Sequence, residues 1–317
     1  MREFASGQIK KGVRSIGFGG DGATWGNYAL VWQDKDTIVG DFGDTHYTNG
    51  NNFHFSAVGL TSPSLAHRMA IYAIAMFENS NQVRFSARSP GLGPNPVALI
   101  GSGADHAVFS KIAMPLGKGF SAGVLLSYEM SHFDASMEAD SQQTIHYETK
   151  WRPSGGLGIS WQPNKTILVG FRGLLNSDME RRADSAGTKD GMARTSEYRL
   201  GGSVSPWKGA LIDLGATRLE RRNDLNATHS VVFHINPGFE QSLFDKHMAV
   251  RFGVDETSPT AGFSFKRNRY KLDAAYVDNM ARSRVGNLFG TSSNSFVMTF
   301  TFDYGARHTQ SQKPTAE

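Results

Sequence analysis

The chain has 317 residues, only 39% of them hydrophobic, and its longest tight apolar run, Met69 to Phe77, is far short of the ~20 residues that a membrane-spanning helix needs. Mean hydropathy is −0.36, and the net charge of +4 comes without the Lys/Arg stripe of a nucleic-acid footprint, so that partner is set aside. Thirty-five glycines and 21 phenylalanines lean towards sheet, and the lack of cysteine suits a chain that meets an oxidising compartment.

Residues 1–50 are rich in Gly and Asp and alternate poorly. Met1-Arg2-Glu3-Phe4 leads into polar residues without the apolar run of a signal peptide, so the chain is read as a mature form. A segment with no clean apolar face is not expected against lipid. It is expected either inside a wet lumen as a partial plug, or as the first wall strands, one of them near Thr37 to Phe42. Gly17-Phe18-Gly19-Gly20-Asp21-Gly22 fits G-x-G-x-x-G, but Gly26-Asn27-Tyr28 begins no amphipathic helix, so the run reads as turn or plug backbone and not as a nucleotide site. Asp34, Asp36, Asp41, Asp44 and His46 cluster in a spacing that matches no calcium loop; they read as solvated rim, and no metal or cofactor is expected.

From Asn52 onward the period is two. Asn52 to Leu60 and Met69 to Phe77 read as a hairpin, although Ser62-Pro63 would also suit the start of a helix. Eleven strands follow between Ala104 and Gly305. Phe120, Ala122, Val124, Leu126, Tyr128 and Met130 face away from Ser121, Gly123, Leu125, Ser127 and Glu129. Ile145, Tyr147, Thr149 and Trp151 alternate with His146, Glu148 and Lys150, and Tyr198 and Leu200 with Glu197 and Arg199. Met248, Val250 and Phe252 oppose Arg251 and Asp255; Tyr270 and Leu272 oppose Lys271 and Asp273; Phe296 to Phe302 closes the series. Such runs outlast the ~5–6 residues of ordinary strands and match the ~9–11 of membrane strands.

The connections are lopsided. Pro115 to Lys118, Pro163 to Lys165, Pro206 to Gly209, Phe244 to Lys246 and Lys266 to Arg269 are short turns built on Pro, Gly and Asn. Asp134 to Gln143, Glu180 to Arg194 and Asp278 to Asn294 read as long polar loops. That asymmetry is the outer-membrane pattern, with turns in the periplasm and loops outside. Phe120, Trp161, Phe265 and Tyr270 fall beside the turns as an inner aromatic girdle, and Tyr128, Tyr147, Tyr198 and Tyr276 as the outer one. Phe120 to Tyr128 spans roughly 19 Å of height at a ~45° tilt, close to the ~25 Å apolar band of these barrels.

The fold expected is therefore all-β: a transmembrane antiparallel up-and-down β-barrel of about 14 strands (roughly 12–16). Residues 1–50 form the N-terminal segment, 51–305 the barrel and 306–317 a flexible polar tail. The lumen is assigned Glu129, Glu148, Lys150, Arg172, Arg199, Asp213, Arg251, Asp255, Lys271 and Asp273. No H-E-x-x-H, G-x-S-x-G or close His pair suggests an enzyme; His146, facing the lumen near the outer end of its strand, is the one candidate base. Glu180-Arg181-Arg182 and Glu220-Arg221-Arg222 sit at outer strand ends, where arginines suit lipopolysaccharide phosphates.

Gly12-Val13-Arg14-Ser15-Ile16-Gly17-Phe18-Gly19-Gly20 resembles the N-terminal G-A-R-S-L-G-M-G-G-A signature of FadL-like outer-membrane barrels and their PorV-type relatives. Trp161-Gln162-Pro163 and Ser205-Pro206-Trp207 are similar to that superfamily's recurrent turns. The resemblance implies fourteen strands, an N-terminal plug and uptake of hydrophobic compounds. Asp21-Gly22-Ala23-Thr24-Trp25-Gly26-Asn27 departs from the family's next stretch, and no substrate residue carries over. The function expected is a bacterial outer-membrane channel or transporter for small, including hydrophobic, solutes, in contact with outer-membrane lipid and lipopolysaccharide. The alternatives are a non-transporting scaffold that docks a protein through its outer loops, and a lipid-modifying enzyme.

Overall fold

The computed structural model describes residues 37–47, 52–66, 69–89, 93–137, 144–184, 187–224, 227–255, 258–278 and 293–304. Alternation with period two has one backbone solution, a strand with an apolar and a polar side. Fourteen such strands follow in order: β1 (Thr37–Tyr47), β2 (Asn52–Ala66), β3 (Met69–Ser89), β4 (Gly93–Gly117), β5 (Phe120–Met137), β6 (Thr144–Trp161), β7 (Ile167–Asp184), β8 (Gly187–Val204), β9 (Ala210–Asn223), β10 (Thr228–Leu243), β11 (Met248–Asp255), β12 (Ser258–Arg267), β13 (Tyr270–Val277) and β14 (Ser293–Asp303). Each pairs antiparallel with its sequence neighbours, and β1 closes the sheet on β14 from Thr37↔Asp303 to Tyr47↔Ser293. Closure matters energetically, because it leaves no edge strand with unpaired backbone groups inside a lipid phase.

The polarity of the two faces is that of a membrane barrel. Outward positions carry the large exposed apolar side chains, among them Leu126, Leu157, Leu200, Leu214, Phe252 and Phe300. The buried residues include more polar or charged side chains than hydrophobic ones. A soluble sandwich would show the reverse.

One end of the barrel is made of tight turns. Lys118 (φ 51) and Gly119 (φ 79) join β5 to β4 with two left-handed residues, the geometry that a two-residue hairpin prefers. A Cβ at Gly119 would stand 2.3 Å from the Gln162 carbonyl oxygen, so glycine is required both by conformation and by the neighbouring turn. Asn164 Oδ1 accepts from the Thr166 and Ile167 amides at 2.8 and 2.9 Å and fixes the β6–β7 turn.

The other end departs from the sequence expectations at several points. The polar stretch Glu180 to Arg194 is not a loop: β7 runs to Asp184, β8 starts at Gly187, and the two stay in register throughout. An 18-residue strand covers about 42 Å of height at a ~45° tilt, against a ~25 Å apolar band, so these hairpins project well beyond the lipid. Likewise β5 continues to Met137. Ser62-Pro63 lies within β2 and starts no helix. Residues 37–47 are a wall strand in full, as the strand reading near Thr37 to Phe42 expects. The signature and plug stretch 1–36 and the tail 306–317 lie outside the described residues.

The wall is interrupted in the β6–β7 ladder. Between Thr149↔Glu180 and Gly155↔Leu175 the β6–β7 ladder makes no pairs, and β6 uses one residue more than β7 to cross the interval. The sequence Arg152-Pro153-Ser154-Gly155-Gly156 explains it. Proline has no N–H to give a ladder, and the glycines that follow allow a bulge. On its other side β6 still pairs with β5, through Tyr128↔Pro153 and Ser127↔Ser154.

Candidate functional site

The inward face carries a lattice of charges. On β7 and β8, Arg172 and Arg199 are direct cross-strand partners, a like-charged pair that would be unfavourable alone. Glu197 resolves it: its Oε1 accepts from Arg172 Nη2 at 2.6 Å and from Arg199 Nε at 2.7 Å. Nearby on β5, Glu129 accepts from Ser127 at 2.8 Å, and Ser127 meets Ser154 of β6.

A second group forms a belt over six consecutive strands. Arg251 on β11 donates to Glu240 on β10 at 2.5 Å and to Ser264 on β12, and lies 3.3 Å from Asp273 on β13. Lys271 reaches the other oxygen of Asp273 at 2.5 Å. Thr299 on β14 and Asp41 on β1 continue the belt through their hydrogen bond. Lys111 on β4 is attracted by Asp41 and repelled by Arg172. Further towards the loop end, Thr217, Asn236 and Asp255 are joined by bonds of 3.1 and 3.4 Å.

Seven of the ten lumen residues expected from sequence lie on this inner face and are at most 5% exposed: Glu129, Arg172, Arg199, Asp213, Arg251, Asp255 and Asp273. Lys271 faces inward and is half-exposed. Glu148 is a correction. An extra residue between Thr149 and Arg152 shifts the parity of the first half of β6, so Glu148 pairs with exposed His132 and His146 with exposed Asp134, on the outer face. His146, bonded there to Asp134, is therefore no lumen base. Lys150 falls in the unpaired stretch and Tyr147 pairs with Phe133; their side chains lie outside the described set.

Inward charges that were not on the expected list include Glu197, Glu240, Lys111 and Asp41. Glu197 was implied by its alternation with Tyr198. Glu240 follows Pro237 in a strand that proline disguises, Lys111 neighbours inward Phe109 in a stretch where the faces look inverted, and Asp41 sat in what read as a rim cluster.

On the outside, Phe120 and Trp161 stack at 5.8 Å near the turns, and Tyr270 packs on Phe302 and Phe300 at 5.2 and 5.8 Å; Phe265 is exposed beside them. Tyr128, Tyr198 and Tyr276 are exposed nearer the loop end. Just beyond Tyr198, Arg218 lies over its ring at 6.0 Å and bonds Glu220 at 2.6 Å. The hydrogen bonds from His229 and Arg218 hold the Glu220 carboxyl below its ordinary range. Arg181 pairs with Asp190 at 2.9 Å. Among the described residues no three His, Cys, Asp or Glu side chains are grouped to hold a metal ion.

Fourteen strands closed on themselves, apolar and aromatic-edged outside and charged within, define a transmembrane β-barrel. The fold is that of the FadL-like outer-membrane barrels. The TodX monoaromatic hydrocarbon channel in its deltaS2 mutant form superposes with a TM-score of 0.61 at 8% identity, covering 93% of this chain and 99% of that one. A Pseudomonas aeruginosa FadL homologue gives 0.58 at 12% identity (92% and 98%), and the CymD monoaromatic hydrocarbon channel 0.57 at 13% (94% and 98%). No protein-family model and no curated protein sequence matches the chain.

Proposed function

We propose that this protein is an outer-membrane channel for small apolar solutes, with its turn end in the periplasm and residues 1–36 occupying part of the lumen. The observation that carries this reading is the burial of Arg172, Arg199 and Arg251 to 2% exposure or less on the inner wall of a fourteen-stranded barrel. About 8 strands leave an interior that wall side chains can fill; a wider barrel leaves open space. β1 begins with Thr37 at the turn end.

The paired charges also weigh against a strongly ion-selective pore. A selective pore presents a ring of one sign, whereas here arginines and carboxylates neutralise one another within the wall. Apolar cargo is supported by fold relatives that are themselves a toluene transporter and monoaromatic hydrocarbon channels. Radiolabelled toluene uptake by Gram-negative cells tests the reading. Cells that display the folded barrel should take up toluene faster than vector controls, and proteoliposomes should not swell in sugars. Toluene uptake equal to the control, or rapid sugar-driven swelling, would contradict it.

A further inference from the structure

The break between β6 and β7 opens into a cavity of about 420 Å³. Its lining comes from both faces of the wall: Leu126, Leu175 and Arg194 from outside, Ser154, Asn176 and Thr195 from inside. Pro153 pairs with Tyr128, and Leu175 with Ser196, two residues beyond Tyr198, so the break sits at and just above the aromatic edge and opens the wall at headgroup level.

Arg194 is the second observation. It is exposed on the outer face, and among the described residues it has none of the carboxylate partners that hold its neighbours Arg181, Arg218 and Arg222. Its direct cross-strand partner on β9 is Arg222, which is held by Asp224 at 3.1 Å, so among the described residues the two arginines share a single counter-charge. Like charges in that position repel, and an anion between them would relieve the repulsion. The height is right for a headgroup: Arg194 lies four residues beyond Tyr198, about 9 Å above the aromatic edge at a ~45° tilt. Leu126, by contrast, lies two residues inside the aromatic edge from Tyr128, at hydrocarbon depth.

We propose that this break is a binding niche for lipid A, the phosphorylated and multiply acylated glycolipid of the outer leaflet. One acyl chain enters against Leu126 and Leu175, and a phosphate pairs with Arg194 beside Arg222. The proposal rests on the outer-membrane orientation given above, with the loop end outward. Lipid A thereby seals a defect that Pro153 builds into the wall.

Native mass spectrometry of the full chain in detergent tests it, with bisphosphorylated lipid A and its dephosphorylated form as probes. The wild type should retain one lipid A, and binding should weaken about ten-fold when the lipid is dephosphorylated, as for loss of a charge-assisted contact. Arg194→Gln should bind bisphosphorylated lipid A about ten-fold more weakly and lose nothing more on dephosphorylation. Leu175→Trp, which fills the cavity, should weaken both lipids. A heat-modifiable band in each variant establishes that the barrel is folded, and so separates failure of the niche from failure of the barrel reading. Equal affinity of the wild type for the two lipids would overturn the proposal. So would a Leu175→Trp barrel that binds lipid A normally but no longer takes up toluene, because the cavity would then be a solute passage.

Discussion

Arg251 illustrates how much a single lumen residue holds together. It donates to Glu240 and Ser264 and faces Asp273, all three on different strands. Removing it leaves two buried carboxylates with one less counter-charge, so Arg251→Ala is expected to lower stability by about 3–5 kcal/mol in urea titrations of vesicle-inserted protein. One position earlier the chain faces lipid: Val250 pairs with exposed Phe263. Val250→Arg should cost about 2–4 kcal/mol by the same assay. If Arg251→Ala had no effect while Val250→Arg stabilised, the two faces of β11 would be exchanged. Facing could be read from sequence at both positions, because Met248, Val250 and Phe252 alternate cleanly with Ala249 and Arg251. Glu148 could not be placed this way. Alternation gives its parity relative to its own neighbours, and the extra residue near Pro153 inverts that parity relative to the rest of β6.

At the level of elements, the turns could be read from sequence and the projecting hairpins could not. Lys118-Gly119 and Asn268-Arg269 announce themselves through Gly and Asn, the residues that tolerate positive φ. Gly119→Ala should therefore slow or reduce barrel assembly, read as a smaller heat-modifiable fraction: it adds about 1–2 kcal/mol of left-handed strain to a Cβ 2.3 Å from the Gln162 oxygen. Above the lipid both faces of a strand meet water, so the apolar alternation that marks a strand is lost. That is why 180–194 reads as loop in sequence while β7 and β8 pair to Asp184↔Gly187. Since this extension lies beyond the apolar band, replacing residues 181–190 with Asn-Gly should leave the heat-modifiable band unchanged. Loss of the folded band would mean that the hairpin nucleates assembly.

For the whole molecule, the strand count and up-and-down order were legible because each strand carries its own alternation and each tight turn its own residue chemistry. The closing register was not, since β1 and β14 are 250 residues apart in pairs such as Thr45 with Ser295, whose hydroxyls meet at 2.6 Å. Nor was the polar belt, which is assembled from single residues on six strands. We propose a membrane-spanning wall with residues 1–36 in part of its lumen, and single-channel conductance in planar bilayers tests this most directly. The full chain should insert with small or brief conductance steps, and a folded barrel lacking residues 1–34 should give larger, sustained ones. Identical conductance from the two, or a deletion barrel that inserts and stays silent, would contradict the account.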